Sequence, residues 1–383
     1  MSVRRGLSIL IILLALNISL SGQENYNTYW GHYQLFQENP VLDTARNNEL
    51  YIRFNNANFF KNNEYKNEFV KGQSLIGMFF EPCIDFYTGS NTMIRAGLHM
   101  MKFHGTDQFE RIKPIITIQH QVNPYFSILF GTLYGTSNHG LLEPLMSFEK
   151  HLTEHYENGM QFLFTYPKFK ADFWLNWEQF IHVGDPFQEH FTAGGHMLYS
   201  FVNSDRWKLN ADIQMLFRHK GGEIDSSNLP AGTQSNITEG LEIKYLFKSE
   251  FFKHFSLEHY NLGFFEINPG DHIKITKGNS HYSLAGIDTK IGAIKIGYWS
   301  GNDFYGPHAE PLFLSQSQYQ PDYYAKERKM LTIKYQVHWS LTDYLDIALR
   351  VEPYYHFDTG RTDHSWSVYL LLDKDFFITD FKR

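Results

Sequence analysis

The sequence predicts an all-β fold: a transmembrane, antiparallel, up-and-down β-barrel of about sixteen strands, within a range of about fourteen to eighteen. Three observations predict it. Runs of roughly ten residues alternate apolar and polar side chains, the period of a strand with one oily and one wet face. These runs pair across short turns, while longer polar connections separate the pairs. Behind a short apolar leader, no stretch reaches the roughly 18 apolar residues that a spanning helix needs.

The alternation is clearest over residues 206–218. Leu209, Ala211, Ile213, Met215 and Phe217 share one face. Lys208, Asn210, Asp212, Gln214 and Arg218 share the other, where Leu216 is the apolar intruder. A first strand is expected near 47–55, followed by an Asn-rich loop over 56–72. Seven hairpins then follow: 75–87 with 92–104, 112–121 with 126–135, 158–166 with 169–180, 190–202 with 206–218, 239–248 with 253–265, 280–288 with 292–300, and 329–339 with 344–356. Each turn holds residues suited to turning. A last strand fits 364–373. The long connections fall near 105–111, 136–157, 181–189, 219–238, 266–279, 301–328 and 357–363. Trp177, Trp339, Tyr344 and Tyr355 sit near strand ends, where aromatic girdles belong.

The organisation read from this is a signal peptide over 1–22, a short N-terminal periplasmic segment over 23–45, and the barrel over 46–383. Arg4 and Arg5 precede the apolar core Leu7 to Leu16, and Ser19, Ser21 and Gly22 suit cleavage. The chain has 383 residues, of which 17% are aromatic, including 34 Phe and 24 Tyr, and 20% charged. Mean hydropathy is −0.38. That is too polar for a helical membrane protein, but natural for strands with one wet face. Cys83 is the single cysteine, so no internal disulfide or thiolate metal site can form. Net charge is −7 without a basic block, and no nucleic-acid partner is expected.

Strand parity assigns charges of both signs to the lumen. The basic set is Arg53, Arg95, Lys208, Arg218, Lys244, Lys295, Lys334 and Arg350. The acidic set is Glu81, Asp85, Asp172, Glu178, Asp212, Glu242, Glu258, Asp346 and Glu352, with His338 beside them. Opposed charged walls set ion preference in a pore, and paired charges stiffen a closed one. The connection 136–157 is expected to fold inward as a constriction, with Asn138, His139, Glu143, Glu149 and His151 as its candidates. His151 and His155 are four apart, a spacing that could suit a metal on a helix face, although no metal is expected here. Ser137-Asn138-His139-Gly140 is similar to the Ser-Asn-Gly nucleophile motif of outer-membrane phospholipases, but its His stands on the wrong side. In that reading His139→Ala would abolish lipid hydrolysis. The Tyr- and Gln-rich loop 301–328 has the composition for sugar contact, or for packing on itself.

Three segments carry a resemblance: Tyr134-Gly135 with Asn138-His139 and Glu143-Pro144-Leu145, then Glu157-Asn158-Gly159-Met160-Gln161, then Asp172-Phe173-Trp174-Leu175-Asn176-Trp177. By these the chain resembles porin-like outer-membrane β-barrels of Bacteroidetes-like Gram-negative bacteria. The resemblance implies an outer-membrane location. It also implies a terminal aromatic, yet Lys382 and Arg383 follow Phe381 here. The expected function is passive passage of small polar solutes, without catalysis or cofactor. A closed receptor, adhesin or structural barrel is the alternative, and a lipid hydrolase the second. Expected partners are outer-membrane lipid, small polar solutes and, by analogy alone, further copies of the chain.

Overall fold

The computed structural model describes residues 35–36, 38, 40–267 and 273–381, so the leader and most of the segment 23–45 lie outside the described residues. Sixteen strands run in chain order. They are β1 (Glu49–Glu64), β2 (Ser74–Tyr87), β3 (Thr92–Phe103), β4 (Arg111–Asn123), β5 (Phe126–Thr132), β6 (Asn158–Tyr166), β7 (Phe169–Gln179) and β8 (Glu189–Asn203). The second half comprises β9 (Trp207–Gly221), β10 (Gly232–Leu246), β11 (Phe252–Glu266), β12 (Lys277–Thr289), β13 (Gly292–Asn302), β14 (Glu327–Thr342), β15 (Leu345–His356) and β16 (Arg361–Asp380). Each pairs antiparallel with its sequence neighbours, and β1 closes on β16 from Glu49↔Asp380 to Glu64↔His364. Closure leaves no unpaired edge, which is what lets strands cross lipid.

Three strands run longer than the sequence suggests. β1 continues through Asn55, Asn56, Asn58 and Asn62 to Glu64, where an Asn-rich loop was expected, because β2 and β16 pair with it on both sides. Tertiary pairing outweighs the poor strand propensity of Asn. β16 runs on to Asp380 for the same reason, and β10 begins at Gly232 rather than near 239.

The outer wall is an apolar band. Ile112, Ile116, Leu241, Leu257 and Ile296 are exposed on it. Short turns close one end and long loops the other, the pattern that places turns in the periplasm and loops outside. The inner wall changes character along its length. Toward the turn end it carries Asp212, Lys244, Glu258 and Lys295. Toward the loop end it carries Leu216, Leu262, Phe264, Trp299 and Met330, all buried. Against these pack Leu141, Leu145 and Met146 of loop 133–157, and Phe304, Leu312 and Phe313 of loop 303–326. Leu216 breaks the polar face of β9 because it faces this interior core, not water.

Loop 133–157 leaves the wall between two opposed glycines, Gly131 and Gly159. Gly131 has φ +95°, and a Cβ there would lie 2.0 Å from the Ile116 carbonyl oxygen; Gly159 has φ +153° and the same 2.0 Å approach to Leu175. Only glycine fits both positions. Leu216→Ala is expected to cost about 2–4 kcal/mol in unfolding from lipid vesicles. Ile213→Ala, on the lipid face of the same strand and 40% exposed, should cost clearly less. Equal losses would show that the interior core is not packed.

Candidate functional site

Loop 133–157 crosses the lumen and is held from several sides. It contains a 3₁₀ turn, Thr136–His139, and one helical turn, Lys150–Thr153. Thr136, Ser137, Asn138 and His139 are all buried.

His139 is the loop's electrostatic anchor. Its Nδ1 donates to Asp172 Oδ2 at 2.8 Å and its Nε2 to Glu157 Oε2 at 3.0 Å. The ring stacks on Trp174 with centroids 3.5 Å apart. The His139 carbonyl accepts from His196 Nδ1 at 2.8 Å. Burial pushes the His139 pKa down, but Glu157 and Asp172 outweigh it and raise it to about 9. With both nitrogens donating, His139 has no lone pair to act as a base. This corrects the expectation that His139 would serve a hydrolase in that role.

Glu143 pairs with Lys334 and with Arg350, whose Nη2 lies 2.5 Å from Glu143 Oε1 and 2.6 Å from Glu352 Oε1. Glu149 pairs with Lys61 at 3.1 Å and accepts from Asn63. Glu310, from loop 303–326, accepts from Ser147 Oγ at 2.7 Å. Burial, with Glu149 and Glu143 nearby, pushes Glu310 up to about 8 against the pull of Lys61.

A second cluster involves His151. The hydroxyls of Thr136 and Ser137 each lie 2.9 Å from His151 Nδ1. His155 Nδ1 is 3.2 Å from that same atom, and His155 Nε2 is 3.4 Å from Glu81 Oε1. Glu81 also meets His99 Nδ1 at 2.7 Å and accepts from Asn55. Burial and the neighbouring His155 hold His151 well below the ordinary histidine range, so it is neutral. Burial also works against His155, but Glu81 raises it. His155 faces Glu81 through Nε2.

The remaining lumen charges are mostly paired along the wall. Asp85 holds Arg95, Asp212 meets His196, Glu242 meets Lys244, Glu258 meets Lys295, and His338 meets Asp346. Glu178 lies 3.9 Å from Arg218 and accepts from Thr192. Arg53 pairs with Asp373, and Lys208 stands opposite Lys244 in register. Sequence reading missed His99, Glu38 and Glu310 as partners. Parity could have placed His99, which shares the inward face of β3 with Arg95. Glu38 and Glu310 lie on irregular segments, where no period exists. In loop 303–326, Gln316 donates to the Pro321 carbonyl within the loop and accepts from the Lys274 amide of the neighbouring loop.

Fold and site together define an outer-membrane β-barrel whose lumen is filled by its own loops and holds a buried hydroxyl–histidine–carboxylate cluster. The chain belongs to the lipid A 3'-O-deacylase-type family, whose model matches residues 42–381. That description is of an enzyme family, and it overturns the expectation of a barrel without catalysis. No curated protein matches the chain. Among solved structures, the chain is similar to the outer membrane protein OprD of Pseudomonas aeruginosa, at 9% identity and TM-score 0.50, over 86% of this chain and 94% of that one. It is also similar to a loop-deletion mutant of OmpT of Vibrio cholerae, at 8% identity and TM-score 0.51, over 85% and 98%. At such identities these likenesses show the fold alone.

Raised pKa values in the loops carry a pH dependence of definite sign. His139 favours the folded loop fully below its ordinary pKa of 6.5, and that contribution is lost as pH rises through about 9. Glu310 binds its proton more tightly folded than unfolded, so it costs stability as pH climbs from 4.5 to about 8. Both weaken loop docking in alkali. Tryptophan fluorescence should therefore change between pH 7 and 10 in the parent and not in Trp174→Phe. A flat titration in the parent would remove His139 as a titrating anchor.

Proposed function

We propose that the chain is an outer-membrane hydrolase that removes an acyl chain from a lipid A-like glycolipid, with Ser137 as nucleophile and His151 as base. The observation that carries the reading is the Ser137 hydroxyl 2.9 Å from Nδ1 of a neutral, buried histidine. Family membership supports it. So does Thr136, a β-branched residue at φ +49°, a left-handed strain that tends to be kept where function needs it. His151 takes the Ser137 proton as Oγ attacks the ester carbonyl, and returns it to the departing sugar oxygen. Water then hydrolyses the acyl-enzyme by the same route. A cavity of about 290 Å³ lies beside His151 and His155, with Phe36, Ala57, Phe79 and Leu371 in its walls. Arg53, His338, Asp343, Asp346 and Asp373 line it too, and its apolar part suits an acyl chain.

Fatty acid released from purified lipid A, read by mass spectrometry, tests this. Ser137→Ala and His151→Gln should each slow release by about 100-fold or more. The double variant Ser137→Ala/Thr136→Val removes both hydroxyls. Undiminished release from it would defeat the assignment.

Passive passage of small polar solutes is the second reading. It draws on a cavity of about 140 Å³ at the turn end, lined by Gln214, Lys244, Glu258, Lys295 and Lys334. On that reading, deletion of residues 138–153 raises single-channel conductance. Unchanged conductance would remove loop 133–157 from any constriction.

A further inference from the structure

Two arginines on the inner wall are built alike. Arg53 on β1 gives Nε and Nη2 to Asp373 at 2.9 and 2.8 Å. Arg95 on β3 gives Nε and Nη2 to Asp85 at 2.7 and 2.8 Å. In each, the carboxylate on the wall uses one edge of the guanidinium and leaves Nη1. Both Nη1 atoms face one oxygen: Glu38 Oε2 lies 2.8 Å from Arg53 Nη1 and 3.9 Å from Arg95 Nη1. Burial would raise the Glu38 pKa, yet the two arginines hold it below the usual carboxylate range.

Glu38 is not part of the wall. It lies on the segment before β1, outside the residues 42–381 that the family model matches, whereas both arginines lie inside them. Its backbone N–H donates to Asn138 Oδ1 at 2.6 Å, next to Ser137. Phe36, two residues earlier, stacks on His151 with centroids 4.4 Å apart. The segment thus lies across the hydroxyl–histidine pair and places a carboxylate between two guanidinium edges. Two cavities adjoin there, of about 290 and about 40 Å³, and Glu38, Arg53, Asn55 and His155 line both. Glu38 therefore stands where the two cavities meet, beside Arg53, Asn55 and His155, and the walls around it carry Arg95, Glu81 and Asp373 as well as apolar side chains.

We propose that Arg53 and Arg95 form a binding site for the anionic group of an amphiphilic ligand, which Glu38 fills in cis as a displaceable strap beside Ser137 and His151. The ligand class is an anionic oxygen group, carboxylate or phosphate, carrying an apolar tail. The role of the bound group in turnover rests on the hydrolase reading; the existence of the site does not.

The test is calorimetric titration of the full mature chain in neutral detergent, with acetate, octanoate and inorganic phosphate as probes. Glu38→Gln should bind at least one probe ten times or more tighter than the parent. Adding Arg95→Gln should abolish that gain. A preference for octanoate over acetate assigns a fatty carboxylate, and a preference for phosphate assigns a phosphoryl headgroup. Equal binding by parent and Glu38→Gln, or a gain that survives Arg95→Gln, would overturn the site. Glu38→Asp keeps the charge but shortens the reach. It should give an intermediate gain, and it serves if Glu38→Gln fails to fold. Ser137→Ala should leave probe binding unchanged, so loss of the hydrolase reading and loss of this site are separate results.

Discussion

A closed cylinder of sixteen strands is too wide for its own side chains to fill. The rest of the structure follows from how that space is occupied. The inner wall supplies half of a core at the loop end, with Leu216, Phe264, Trp299 and Met330, and two returning loops supply the other half. Without those loops the apolar wall residues would face water, and without the wall the loops would have nothing to bury. The lumen is thus a second interior, enclosed by the sheet whose other face meets lipid.

Charge is what lets polar segments sit in that interior. Each carboxylate the loops bring in meets a cation or a hydroxyl: Glu157 meets His139, Glu143 meets Arg350, Glu149 meets Lys61, and Glu310 meets Ser147. Desolvated charges are tolerated only when paired. Two buried histidines of loop 133–157 end in opposite states for this reason. His139 lies between two carboxylates and is cationic, whereas His151 has hydroxyls and another histidine as neighbours and is neutral. The same residue type is a cationic anchor at one position and a neutral side chain twelve positions later.

The strands were legible because period two survives wherever one face meets lipid. β9 reads directly from Leu209 to Phe217, and twelve of its fellow strands fall within a few residues of their sequence positions. Legibility failed in β1, where Asn56 and Asn58 hold strand geometry through pairing on both sides. The charged inner wall was also readable by parity. What could not be read was which charges meet: Glu143 is 207 positions from Arg350, and no local rule links them. The sequence did mark Ser137, His139 and His151 as unusual, but adjacency suggested pairing Ser137 with His139. The 3₁₀ turn sends their side chains apart, and Ser137 meets His151 instead.

The contacts of loop 133–157 also differ widely in how much chain they enclose. His139 reaches Asp172 across 33 positions and His196 across 57, and Leu142 reaches Gln214 across 72. Its contact with Glu310 spans 163, and that with Arg350 spans 207. Closure entropy rises with the length enclosed, and contacts of short separation form sooner. The contacts that tie the loop to β7–β9 therefore enclose the least chain and cost the least closure entropy, and those to loop 303–326 and β15 cost the most. The filling of this barrel is fastened locally first in free-energy terms, and the distant strands add the contacts that are entropically dearest.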